Sequence, residues 1–205
     1  MARTRGTTEA GVRRRAQILG EAEALVESVG FDDLKMETIA GSVGISKSTL
    51  YHYFPQKADM LFALHEQTML RRIERQREIF ASPLSVRERL RLSILDQLQL
   101  IAEHPGRVRV LMDSKRDNGR PHRKEMAKLE RIYVDELVRL IELGIAEREI
   151  HAVDAELVAQ AMLGMTQHAR YGLRPGRPGG YYGIADEMWD LLVAGLSSRG
   201  ADGPA

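Results

Sequence analysis

Cysteine does not occur among the 205 residues, which excludes disulfides, thiolate zinc sites and thiol nucleophiles. A reducing cytoplasm is compatible with that absence. No apolar run approaches the roughly 20 residues that a membrane-spanning helix requires. The Arg-rich start has no apolar stretch behind it and does not read as a secretory signal. Neither sign of charge is in excess: 30 Lys and Arg against 29 Asp and Glu leave a net charge of +1, too little for a polyanion binder acting through its whole surface. The constellations of catalysis are missing as well. No two of His52, His65, His104, His122, His151 and His168 are three or four residues apart, and no Glu precedes a His by three, so the carboxylate-bridged di-iron pattern is absent. There is no G-x-S-x-G and no phosphate-cradling P-loop, and no strand leads into the glycine-rich Gly176, Gly179 and Gly180. No catalytic residue, metal ligand or cofactor is expected. With 43% hydrophobic and 29% charged residues, the chain can form one good core, or a small domain beside a larger one.

What is present is organised around Met36 to Lys57, METIAGSVGISKSTLYHYFPQK. Met36, Ile39, Ala40 and Val43 share one helical face. Gly44 follows, and a glycine leaves a helix at positive φ without a Cβ clash. Ile45 plugs the hairpin. Ser46 is an N-cap, because its hydroxyl accepts from the free N–H groups of the next turn. Leu50 and Phe54, four apart, turn inward, and Pro55 ends the second helix, since the residue before a proline avoids the α region. The outward face then carries Lys47, Ser48, Thr49, Tyr51 and His52, side chains that suit phosphates and base edges. A polar, exposed N-terminal turn is what a major-groove reader needs. The same pattern also fits an ordinary helical hairpin with a solvated face.

Ile39-Ala40, Gly44, Ser46, Leu50-Tyr51-His52-Tyr53-Phe54, Lys57 and Leu61 resemble, at this spacing, the DNA-binding domain of the TetR family of bacterial transcriptional regulators. The resemblance covers roughly Thr8 to Leu61; beyond it, only length and helical layout agree with that family. It implies an all-α chain of about nine helices. A three-helix, helix-turn-helix DNA-binding domain would span 1–55 with an arm at 1–7, an effector-binding and dimerisation domain 56–198, and a tail 199–205. Two departures stand out. Lys35 and Gln56 occupy positions where many members carry helix-capping Ser, Thr, Asn or Asp. Lys35 cannot accept a hydrogen bond, so Asp32 or Asp33 is expected to cap the first helix of the motif from upstream.

The DNA-binding residues expected are Thr38, Ser46, Lys47, Ser48, Thr49, Tyr51, His52, Tyr53 and Lys57. Tyr51, Lys57 and Thr38 are assigned to phosphates, and Lys47, Ser48, Thr49 and His52 to base edges. Arg3, Arg5, Arg13, Arg14 and Arg15 crowd the start of the chain against Glu9 alone. Such an arm fits a phosphate or minor-groove contact, and equally a solubilising tail.

The remaining chain reads as helices. Thr8 caps a first helix with Ile18, Ala22, Leu25, Val26 and Val29 at helical spacing, closed by Gly30. Lys57 opens a long helix to about Phe80, whose first turn would offer a cation to phosphate and whose later part, RRIERQRE, is expected to be exposed. Ser85 with Glu88 forms a capping box. His104-Pro105-Gly106 reads as a turn, Arg116 to Arg123 as a polar loop, and Lys124 to about Glu149 as an amphipathic helix. Asp154 caps a helix ending near Tyr171 and studded with Ala155, Ala159, Ala161, Gly164 and Ala169. Gly172 to Gly183 is a connector, and Ile184 to Ser198 the last helix.

Small and apolar residues in the last two helices fit either a monomer core or an interface, and the resemblance implies a four-helix dimer bundle. Two recognition helices held about one DNA turn apart, roughly 34 Å, would read a palindromic operator on double-stranded DNA. A small-molecule effector is expected in the body. Leu95, Gln99, Met112, Met126, Tyr133, Met165, His168 and Tyr171 are its candidate contacts, with thioethers filling irregular space and Gln99, Tyr133, His168 and Tyr171 as polar anchors. Each also fits plain core or boundary packing. The segment RYGLRPGRPGG (Arg170 to Gly180) is similar to a loop in TetR-like regulators that respond to acyl-CoA thioesters, which would set Arg174 or Arg177 against an anionic head group. A simple connector is the alternative. The function expected is a cytoplasmic, dimeric repressor released by a ligand, against an effector-independent DNA-binding dimer or an architectural protein.

Overall fold

The computed structural model describes residues 8–113, 122–172 and 180–196. Among them the chain is all-α: α1 Glu9–Val29, α2 Met36–Val43, α3 Lys47–Tyr53, α4 Lys57–Phe80, α5 Val86–Glu103, α6 Pro105–Asp113, α7 Arg123–Ala146, α8 Ala155–Gly172 and α9 Gly180–Leu196. The chain divides into two compact units, Met1–Leu70 with His104–Leu129, and Arg71–Glu103 with Glu130–Ala205. Helices α4 and α7 each begin in the first unit and end in the second.

The first unit grows from the apolar stripes read above. Ile18, Ala22, Val26, Ile39, Leu50, Phe54, Met60 and Leu61 are buried together, with Val110 of α6 and Met126 of α7. Thr8 caps α1 by accepting from the Gly11 N–H at 3.2 Å. Gly30, at φ 85°, closes α1 and donates to the Val26 carbonyl. The turn between α2 and α3 is a Schellman closure: Gly44 stands at φ 71°, its N–H goes to Gly41 O, and the Ile45 N–H goes to Ala40 O.

Helix α2 has Lys35 at its N-cap, and that residue makes no side-chain cap bond. The Lys35 carbonyl instead receives the N–H groups of Thr38 and Ile39. At α4, Asp59 makes up for Gln56 by accepting from the Gln56 N–H at 2.9 Å, the reciprocal half of a capping box. The other Asp59 oxygen lies 2.9 Å from His122 Nε2, whose ring stacks on Phe62 with centroids 4.6 Å apart.

Helix α6 starts at Pro105, where a turn was expected. A proline at the first helical position forfeits no hydrogen bond, because that N–H would be an orphan anyway. Gly106 brings α6 hard against α1: a Cβ there would lie 2.8 Å from the Glu23 carbonyl oxygen. Arg107 Nε holds the Glu23 carboxylate beside it at 2.9 Å.

In the second unit, the Ser85–Glu88 capping box opens α5 as expected, with the Glu88 N–H on Ser85 Oγ and the Ser85 N–H on the Glu88 carboxylate. Helix α7 stops at Ala146, short of Glu149, because Arg148 adopts φ 62°. The N–H groups of Arg148 and Glu149 then fold back onto Ile145 O and Gly144 O, a second Schellman closure made without glycine at its left-handed position. Gly144 is needed nearby, since a Cβ would meet Val86 and Ile150 at 2.8 Å each. Asp154 caps α8 by accepting from the Leu157 N–H at 3.0 Å. Helix α9 begins at Gly180, one turn earlier than the expected Ile184.

The later part of α4 is less exposed than its charge implied. Arg71, Glu74, Arg75, Arg77 and Glu78 face solvent, but Gln76 is buried and donates through Nε2 to the Tyr133 carbonyl at 3.0 Å. Ser93, Gln97 and Thr166 are buried too, with Thr166 Oγ1 donating to Gln97 Oε1 at 2.8 Å and Gln97 Nε2 donating to the Ser93 carbonyl at 3.2 Å. Such side chains are tolerated inside only when hydrogen-bonded.

Candidate nucleic-acid interface

Helix α3 sits over the sealed core of the first unit through Leu50, which is fully buried, while Phe54 just beyond its end is 1% exposed. Arg15 of α1 lies over the outer side of the Phe54 ring at 5.1 Å. With the inner face fixed this way, the 100° step of a helix turns Lys47, Ser48, Thr49, Tyr51 and His52 outward, and all five are exposed. Ser46 caps α3 by accepting from the Thr49 N–H at 3.1 Å. Its hydroxyl also meets Ser48 Oγ at 2.9 Å and Thr49 Oγ1 at 2.8 Å. Three hydroxyls thus hold one another on the outer turn, each able to exchange a partner for a phosphate oxygen or a base edge.

Thr38 is exposed on α2. Tyr53 is half-buried, packs against the hydrophobic core, and meets His52 edge to face at 5.9 Å. Lys57 is half-buried: its ammonium donates to the Asp32 carbonyl at 2.7 Å and lies 4.8 Å over the Phe31 ring. It braces the loop between α1 and α2, with an ammonium that can donate three bonds in all. Of the arginines near the start of α1, Arg13 pairs with Glu9 and Arg14 donates to Gln17 at 3.0 Å.

One residue of this face was not among those expected. Glu37, exposed in the first turn of α2, forms an ion pair with Lys47 of α3. The hydrogen bond from Lys47, with its charge behind it, holds the Glu37 carboxyl below its ordinary range, and Glu37 in turn raises Lys47. The Lys47 ammonium also lies 5.8 Å from the Tyr51 ring centre. Nothing in the spacing of positions 37 and 47 announces this pair, because they belong to two helices.

The model of the C-terminal domain of tetracyclin repressor-like proteins matches residues 83–196, and that of bacterial regulatory proteins of the tetR family matches residues 18–64. The chain belongs to the TetR family. It is thus of a family of DNA-binding transcriptional regulators. A relative, the nucleoid occlusion factor SlmA of Escherichia coli O1:K1 / APEC, is 30% identical over 197 residues, covering 89% of this chain and 94% of that protein. AibR, solved in complex with isovaleryl coenzyme A and operator DNA, has the same fold, with a TM-score of 0.76 and 24% identity over 87% of this chain and 97% of that one. FadR from Bacillus subtilis, solved in complex with stearoyl-CoA, superposes equally well, with a TM-score of 0.76 and 23% identity over 88% of this chain and 98% of that one.

In this TetR-family chain the candidate effector contacts are divided between the two units. Met112 and Met126 belong to the first unit, and Met126, 1% exposed, is part of its core. In the second unit Tyr133 is buried with Arg72 over its ring at 4.3 Å. Leu95, Gln99 and Met165 are half-buried, Gln99 donating to the Tyr182 hydroxyl at 3.1 Å. His168 is exposed and meets the Gly164 carbonyl at 3.1 Å. The Tyr171 side chain, and Arg174 and Arg177, lie outside the described residues. A cleft of about 540 Å³ in the second unit is lined by Arg87, Ile145, Arg148, Glu149, Ile150, His151 and Ala152, none of them a candidate. Gln76, Ser93, Gln97 and Thr166 are buried polar residues of the second unit that the sequence pattern missed. Among the described residues no helix is long and apolar enough to cross a membrane.

Proposed function

We propose that this protein is a cytoplasmic homodimeric repressor that binds a palindromic operator and is released by a small-molecule effector, an acyl-CoA-like or other largely apolar compound. The observation that carries the reading is the outer face of α3. Ser48, Thr49 and His52 are exposed while Leu50, between them, is fully buried. Lys47, Ser48, Thr49 and His52 read base edges, Thr38, Tyr51 and Lys57 position the phosphate backbone, and Ser46 and Tyr53 complete the DNA-binding set. The reading head is assigned to 1–55 and the effector-binding and dimerisation body to 56–198. Dimerisation through α8 and α9 is supported by exposed Leu157, Tyr182 and Leu191, at 67%, 61% and 70%, and by open space beside Gly164. The acyl-CoA class is supported by what AibR and FadR hold in their complexes and by Arg174 and Arg177 in the 170–180 segment.

The mechanism is a linkage. The effector prefers one spacing of the two reading heads, and it weakens DNA binding only by as much as it prefers that state. Helix α4, continuous from Lys57 to Phe80, carries the change. Selection of bound sequences from random double-stranded DNA tests the reading, followed by titration of the complex with stearoyl-CoA and isovaleryl-CoA. A palindrome that either thioester releases is the expected result, and failure to select any palindrome refutes the regulator. The 30% identity to a nucleoid occlusion factor favours a second reading, an architectural or effector-independent DNA-binding dimer. That reading predicts the palindrome without release.

A further inference from the structure

On the exposed face assigned to DNA, every side chain named so far is neutral or cationic except Glu37. A carboxylate there repels phosphate, and yet it is the partner of Lys47, the foremost cation of α3. The two residues come from different helices of the motif, α2 and α3, whose relative placement is set by the Gly44 turn and by the buried side chains Ile39 and Leu50. The Lys47 ammonium is therefore bounded on one side by the Glu37 carboxylate and on another by the Tyr51 ring. Both members of the pair keep more than half of their side-chain surface in solvent, so both remain available to a ligand.

Chemistry narrows what such a pair fits. An ammonium with one donor committed to Glu37 has two more donors, enough for two acceptors close together. A carboxylate with one oxygen committed to Lys47 keeps lone pairs for an N–H donor. In the major groove, guanine offers the O6 and N7 acceptors side by side, and the cytosine paired with it offers the N4 amino donor. A·T and T·A pairs offer no comparable division, because adenine and thymine place donor and acceptor differently and add a methyl group. Electrically the pair is neutral, so while it is intact it adds nothing to backbone attraction or to counterion release.

We propose that Glu37 and Lys47 act together as the reader of one G·C base pair in each half-site, Lys47 addressing guanine and Glu37 addressing cytosine, with Glu37 also keeping Lys47 off the phosphates. This rests on the assignment of the α3 face to operator DNA.

The test is sequence selection from random DNA with the full-length wild type, E37A and K47A, followed by salt-dependent binding to the selected site and to variants of it. The expected wild-type result is a palindrome holding G·C at one matched position in each half-site. Both substitutions relax that same position, each lowering discrimination there by about 5- to 150-fold, the equivalent of about 1–3 kcal/mol. E37A alone strengthens binding to unrelated DNA and steepens the dependence of log K on log salt by up to about 2 per dimer, as two lysines are freed for phosphates. E37Q, which preserves side-chain shape, is expected to steepen the salt dependence likewise and guards against misfolding of E37A. The inference is overturned if the wild type selects a palindrome but E37A and K47A alter different positions or none, or if neither Glu37 variant changes the salt slope. If the wild type selects no palindrome, the regulator reading falls, and this inference falls with it.

Discussion

Helices α2 and α3 keep Ile39, Leu50 and Phe54 dry and leave Ser48, Thr49 and His52 in water. In the second unit Leu90, Ile94 and Leu137 are equally dry, but Gln76, Ser93, Gln97 and Thr166 lie inside as well, bonded to one another or to main chain, while Leu157 and Leu191 face out. The contrast shows where each unit keeps its polar capacity. The first holds hydroxyls and cations ready at its surface over residues of α2 and α3 that are apolar, its buried His65 and Thr68 belonging to α4. The second stores amides and hydroxyls within, where their bonding is specific and costly to disturb.

The comparison breaks most sharply at the apolar end. Phe54→Ala removes a side chain that is 1% exposed and is expected to destabilise the protein by about 3–5 kcal/mol, read by urea denaturation, with loss of DNA binding. The buried polar network is expected to give an asymmetric result. Thr166→Val leaves Gln97 Oε1 without the donor it now has and should cost about 1–3 kcal/mol. Gln97→Leu should cost less on this account, because the Thr166 hydroxyl can turn to the Met162 or Leu163 carbonyl. Equal losses in the two variants would mean the bond between them is not the main term.

Ser46→Ala, at the surface, removes the α3 cap and is expected to cost about 0.5–2 kcal/mol, seen as a lower urea midpoint. The smallest effect concerns pH. Burial, opposed by the nearby Arg72 charge, holds the Tyr133 phenol above the ordinary 10.0. The folded state thus retains a proton that the unfolded chain releases near that ordinary value. This contribution is complete below about pH 10 and is lost as pH rises towards the raised folded value. Tyr133→Phe should flatten the alkaline fall in stability and leave the neutral region nearly unchanged.

The first unit was legible because its signals are local. Gly44, Ser46, Leu50 and Phe54 lie within eleven positions of one another, and each residue has one physical reason to be where it is. Helix spans followed from the same logic, with misses where a neighbour overrode a local cue. Pro105 and Gly106 look like a turn, but proline suits a first helical position, and glycine is what the Glu23 carbonyl leaves room for. Arg148 looked helical and instead adopts a left-handed turn. The second unit hid its polar chemistry because Gln76, embedded in RRIERQRE, is surrounded in sequence by solvated charge. Gln97 and Thr166 are 69 residues apart, and Glu37 reaches Lys47 across a helix boundary. No periodicity encodes pairings of that kind.

Position 106 offers a yardstick for the wider family. There the main chains of two helices approach so nearly that even a methyl group would collide with a peptide oxygen. A homologue with alanine at that place must hold its sixth helix farther from its first, and its amino-acid choice at one site would announce the altered geometry before any coordinates were known.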